Sequence, residues 1–194
     1  MRFLARTGLF TGVLAVLFSA ALGAPPYSPR EQSWRTGDIV FMNGRSWRSV
    51  FVRLAQGYSR DYSHVGLVSV RDGVAYIIHA SPTAGKEAAG AIVEERWDVA
   101  LGADRVTGGA VYRLRRSARL RGDEVRLQAE RFLAARLPFD DAFDLSTADR
   151  LYCTELIWRA YRSIGVDLRP ARTGKYLFPG DLLGSDSLRE VAVF

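Results

Sequence analysis

One cysteine, Cys153, stands among 194 residues, so no intramolecular disulfide can form. An exported chain normally pairs its cysteines or lacks them. A lone thiol kept in such a compartment is either buried and inert or chemically used. Only two histidines occur, His64 and His79. No C-x-x-C or H-x-x-x-H ligand pair accompanies them, so neither a metal nor another cofactor is expected. No dense basic block interleaved with aromatics is present, and nucleic acid is not an expected partner. There is no internal repeat. Beyond one apolar run near the start, no stretch is long enough to cross a bilayer.

That first run has the form of a secretory signal peptide. Arg2 and Arg6 precede an uncharged apolar stretch, Thr7 to Leu22, and small residues follow. A cut after Gly23 leaves Ala21 and Gly23 at the −3 and −1 positions. No cysteine lies there, which excludes a lipoprotein anchor. The alternative is retention as a membrane anchor. Residues 1–23 are therefore expected to be a signal segment, 24–35 a proline-bearing linker, and 36–194 one domain exported to a bacterial periplasm. Cleavage removes two arginines and no acid, taking the formal charge from +6 to +4. A basic chain of this kind could suit an anionic partner such as peptidoglycan or a membrane surface; a solvated arginine-rich surface is the simpler account. Hydrophobic residues at 48% and charged residues at 25% fit an ordinary globular core.

The two histidines lie on a hairpin signal. His64 to Val70 and Val74 to His79 are β-rich runs about Arg71-Asp72-Gly73. An even-numbered loop puts both histidines on one face of the sheet. A four-residue loop sets them directly opposite; an Asp72-Gly73 loop sets them diagonally, roughly 7–8 Å apart at the backbone. A three-residue loop separates them. Thr36 to Phe41 reads as a turn entering a strand, and Asn43 to Gln56 as a helix ended by Gly57. Pro82 to Gly90 reads as a mobile loop, Ala91 to Glu95 as a short strand, and Gly109 to Leu114 as a clearer one. Val125, Ala129, Phe132, Leu133 and Leu137 mark a helix with Asp123 as its cap and Pro138 as its stop.

Cys153, Leu156, Ile157, Ala160, Tyr161 and Ile164 form an unbroken helical stripe, with Gly165 beyond it. The thiol thus belongs at a helix N-terminus, facing the body of the protein. The partial positive charge and unpaired N–H groups there favour a thiolate and can serve an oxyanion. A base must sit within hydrogen-bond reach of the sulfur. The expected assembly has Cys153 as nucleophile, His64 as base, and a neutral His79 holding His64 in the useful tautomer.

These segments resemble the NlpC-type papain-like cysteine hydrolases, specifically their circularly permuted YiiX/YebB-like branch, related to lecithin–retinol acyltransferase. Thr36-Gly-Asp-Ile-Val-Phe41 is similar to the family's opening strand, and Tyr62-Ser-His-Val-Gly-Leu-Val68 to its catalytic histidine strand. Leu137-Pro-Phe-Asp-Asp-Ala-Phe-Asp144 resembles the segment before the nucleophile, Tyr152-Cys-Thr-Glu-Leu-Ile157 the nucleophile motif, and Phe178-Pro-Gly-Asp-Leu182 the closing motif. The resemblance implies an α+β permuted papain-like fold, a small antiparallel sheet packed on the nucleophile-bearing helix. It implies a cysteine nucleophile, a histidine base and a third polar residue, with the histidine strand preceding the cysteine helix. Many members carry Glu in the third place where this chain reads Ile77-Ile-His-Ala80. A tyrosine near the histidine strand helps the oxyanion hole in relatives; Tyr62 and Tyr58 are the candidates here. Three functions stay open: a thiol amidase or peptidase on cell-wall-type amides, a lipid acyltransferase or esterase with the same residues, and a non-catalytic binding domain. The expected substrate is a peptide or lipid acyl group.

Overall fold

The computed structural model describes residues 34–57, 62–82, 91–115, 118–171 and 174–194; the side chains of 47 and 118–120 are not described. The expected signal segment, nearly all of the linker, the loop 83–90 and Tyr58 lie outside these residues.

Among the described residues six antiparallel strands form one sheet. They are β1 (Ile39–Gly44), β2 (His64–Arg71), β3 (Val74–Ala80), β4 (Ile92–Arg96), β5 (Val106–Leu114) and β6 (Leu188–Val193), in the spatial order β4-β3-β2-β1-β5-β6. The helices are α1 (Trp47–Ala55), α2 (Trp97–Ala100), α3 (Ala118–Ala134), α4 (Cys153–Arg162) and α5 (Pro179–Leu183). The α+β architecture with a small antiparallel sheet against the cysteine-bearing helix is as expected.

The strand β1 is central because its side chains are apolar on both faces. Ile39 and Phe41 join Val65, Leu67, Ile78, Val125, Ala129, Leu156 and Ile157 in the main core, beneath α3 and α4. Val40 and Met42 join Val68, Ile77, Val111 and Trp97 in a second core on the other face. There Trp34 stacks on Trp97 with centroids 4.7 Å apart. A buried ion pair crosses from the turn before β1 to β5: Arg113 donates to both Asp38 oxygens at 2.6 and 2.7 Å. Two glycines let α3 approach this turn. Gly37 has φ +89°, and a Cβ on Gly122 would lie 2.1 Å from the Thr36 carbonyl oxygen.

The hairpin takes the two-residue form. Asp72 and Gly73 both have positive φ, 51° and 76°, as a type I′ turn requires. Arg71 then pairs with Val74 and Leu67 with Ile78. Helix α4 starts at Cys153 as the apolar stripe requires, and Gly165 lies beyond it with φ +76°.

Other boundaries differ from expectation. Strand β1 runs on to Gly44, so the first helix begins at Trp47, where the Ser46 hydroxyl accepts the Ser49 N–H at 3.2 Å. Helix α3 begins at Ala118, upstream of Asp123, which is an interior residue near Arg126 (3.4 Å) instead of a cap. It ends at Ala134 because Arg136 adopts φ 52°, before Pro138 is reached. The helices α2 and α5 are too short to show a helical period, and the residues of β6 do not alternate apolar with polar.

Candidate functional site

Helix α4 lies against β2 and β3. It presents Cys153 from its first position, 8% exposed and within the main core. The backbone N–H groups of Val65 and Thr154, and its own, lie close enough to the sulfur to act on it electrostatically. Val65 follows His64, so the sulfur rests against the peptide joining the two. Those donors pull the thiol toward ionisation, but burial outweighs them and pushes its pKa up to about 11. The helix start was expected to favour a thiolate; desolvation leaves the resting sulfur protonated instead.

His64 opens β2 opposite Met42, and His79 lies opposite Gly66 by the same register. Both imidazoles therefore belong to the sheet face that carries Met42 and Ile77, while Cys153 approaches from the helix side. Among the described residues no hydrogen bond joins the sulfur to an imidazole. The two histidines themselves are in direct contact, with His64 Nε2 2.8 Å from His79 Nδ1 and the rings nearly perpendicular at 82°. Burial foremost, with electrostatic contributions from His79 and Arg105, lowers the His64 pKa to about 3, so its ring is neutral.

Sequence reasoning missed what stands behind His79. The far nitrogen, Nε2, is 2.9 Å from Glu95 Oε2. Arg105 holds that carboxylate, with Nη1 3.1 Å from Oε1 and 3.0 Å from Oε2. His79 and Arg105 together hold the Glu95 carboxyl at about 2, against the opposing effect of burial. His79 pairs with Val93, which puts Glu95 on the same face two residues along β4. Only that register reveals it.

Around the sulfur, Thr154 Oγ1 donates to the Leu177 carbonyl at 2.5 Å, and the Leu177 N–H donates to Tyr152 Oη at 3.2 Å. These contacts tie the helix start to the segment before α5. Glu155, fully buried, has Arg159 at 2.6 Å, yet burial raises its carboxyl to about 7. Tyr62 packs partly buried against the main core, its ring 5.7 Å from Phe41. Among the described residues no cluster of three His, Cys, Asp or Glu gathers as a metal site requires.

The arrangement is a buried thiol near backbone donors at the start of α4 and, on the other face of the sheet, a neutral His64 hydrogen-bonded to His79 and backed by a carboxylate. Comparison with known proteins gives the chain its relatives. The chain is 29% identical over 158 residues to the uncharacterized protein YiiX of Escherichia coli K12. That alignment takes in 76% of this chain and spans 66% of the relative's length. A crystal structure described as the metalloprotein yiiX of Escherichia coli O157:H7 matches with a TM-score of 0.66 at 22% identity. The match covers 81% of this chain and 96% of that one, and it is a likeness of fold. The model of the permuted papain-like amidases matches residues 33–181, the span holding His64, His79, Glu95 and Cys153. The chain belongs to that family, the permuted papain-like amidase enzymes of the YaeF/YiiX, C92 type.

Proposed function

We propose that this protein is an exported thiol amidase or peptidase that acts by acyl transfer to Cys153, on amide bonds of the cell-wall type. The observation that carries the reading is the buried thiol at a helix start, close to the backbone N–H of Val65, which follows the neutral His64 on β2. The charged and apolar pattern of residues 2–22 supports export.

In this mechanism substrate binding closes His64 onto the thiol, and the neutral imidazole takes the Sγ proton as sulfur attacks the carbonyl carbon. The oxyanion meets the N–H groups that lie close to the sulfur at rest. Collapse breaks the C–N bond, and the His64 imidazolium returns its proton to the leaving amine. Water, deprotonated by the same ring, then cleaves the thioester and frees the acid and the thiol. His79 keeps the ring in place throughout.

A second reading, a lipid acyltransferase or esterase using the same residues, draws on α1. Val50, Phe51 and Leu54 there are 45%, 62% and 49% exposed. Gln56, just past the helix, donates to the Tyr62 carbonyl at 2.5 Å, so this apolar patch stands near the start of the histidine strand.

Purified protein is to be given murein fragments and phospholipid vesicles in parallel, with Cys153→Ala as the blank. New amines from murein, absent in the blank, are the expected result. Turnover of lipid alone overturns the amidase reading in favour of the second. Labelling of Cys153 by an acyl-type probe is expected to fall sharply in His64→Ala; equal, slow labelling in both proteins sinks the catalytic assignment.

A further inference from the structure

The chain of contacts behind His64 is a one-way hydrogen-bond relay. A carboxylate can only accept hydrogen bonds, and a neutral imidazole has one donor and one acceptor nitrogen. Glu95 is therefore the fixed end. With Glu95 accepting, His79 must carry its proton on Nε2, at 2.9 Å. With His79 neutral, as its orienting role requires, its Nδ1 atom is then a bare acceptor, and His64 donates to it from Nε2, at 2.8 Å. One position remains: Nδ1 of His64 bears the lone pair.

We propose that Glu95 is a positioning residue that sets the direction of this relay and so selects Nδ1 of His64 as the basic nitrogen. The proposal rests on the reading of His64 as general base. Without a fixed acceptor, His79 is free to take its other tautomer and donate from Nδ1. His64 would then accept at Nε2 and hold its own proton on Nδ1, with no lone pair there for the thiol proton. The wrong tautomer of a catalytic histidine disables it while leaving the geometry intact.

The surroundings support one direction. His79 is 4% exposed, so water does not compete for its nitrogens. The groups facing it are His64 from β2, Glu95 from β4 and, through Glu95, Arg105 from the turn before β5. Arg105 Nη1 also donates to the Val99 carbonyl near the end of α2, at 3.1 Å. The guanidinium is thereby pinned and keeps the carboxylate charged and aimed. Arg105 adds no second donor to His79, because its contacts are with Glu95 and Val99.

The test is nitrogen NMR of imidazole-labelled full-length protein at neutral pH, which needs no substrate. In the wild type, both histidines are expected as Nε2–H tautomers, with Nδ1 of His64 unprotonated. In Glu95→Gln, whose amide can donate or accept, His64 is expected to lose its single tautomer. The limiting rate of acyl-probe labelling should drop at least about tenfold with apparent probe affinity unchanged. Glu95→Asp should recover part of that rate. A proton on Nδ1 of His64 in the wild type overturns the proposal, and that measurement holds whether or not a variant folds. So does an unchanged tautomer in a folded Glu95→Gln. If the tautomers follow Glu95 but Cys153 does not react, the relay stands and the catalytic reading of Cys153 and His64 fails.

Discussion

The resting state of the thiol can be tested by simple alkylation. A papain-like site holding a preformed thiolate–imidazolium pair alkylates on a broad plateau through neutral pH. Here the sulfur is pushed up to about 11 and His64 down to about 3, so both partners are neutral across that range. At pH 7.5 a thiol of pKa about 11 is ionised to roughly 3 parts in 10,000, against about a tenth for a free cysteine near 8.5. That is about 300-fold less thiolate. The more basic sulfur is intrinsically more nucleophilic, with a Brønsted coefficient of about 0.45, which returns about 13-fold over 2.5 pK units. Folded protein should therefore react with iodoacetamide about 20-fold more slowly than the same chain in urea, before any hindrance from burial. The rate should rise about tenfold per pH unit from 6 to 10 and be unaffected by His64→Ala, because no ion pair is there to lose. The assay is mass-spectrometric counting of carbamidomethylated Cys153 over time at a series of pH values. A flat profile between pH 5 and 9, faster than the unfolded chain and abolished in His64→Ala, would refute the neutral resting pair.

Two further outcomes concern the frame that holds the site. Asp38→Ala strands the buried Arg113 guanidinium without its carboxylate and should cost about 3–5 kcal/mol in urea unfolding, with Asp38→Ala/Arg113→Met losing less than the sum of the singles; strict additivity would show that the pair is not coupled. Gly122→Ala sets two effects in opposition, a helix-propensity gain of about 1 kcal/mol against a Cβ placed 2.1 Å from the Thr36 carbonyl oxygen, and the clash should win with a net loss of about 1–3 kcal/mol; a rise in Tm would mean that α3 does not approach the turn this closely.

The parts of the site written in local pattern were readable in the sequence. The stripe from Cys153 to Ile164 places the thiol at a helix start because a helix period is a local property. Asp72-Gly73 fixes the hairpin, and with it the shared face of His64 and His79, because a turn's chemistry is also local. Two things were not local. Glu95 meets His79 through the pairing of β3 with β4, across residues 81–91, where no turn motif specifies a register. The thiol's protonation depends on how much of the protein closes over it, and a helix-dipole argument from sequence counts the donors but not the desolvation. The same blindness misplaced the start of α3: upstream of Asp123 the helix continues through Arg-rich residues without an apolar period, and its approach to Thr36 and Gly37 is set by tertiary packing at Gly122.

One end of α4 carries a consequence for anyone who would improve this protein. The residue before Cys153 is Tyr152, whose side chain makes no capping hydrogen bond to the helix. A stability-minded designer would replace it with Ser or Asp, the ordinary remedy for a bare helix start. Such a cap would claim the same early N–H groups that Cys153 now shares, Thr154 foremost. The sulfur, and any oxyanion formed on it, would face competition from a permanent tenant. The uncapped start is thus a reserved seat, and a variant screened only for melting temperature would be selected toward filling it.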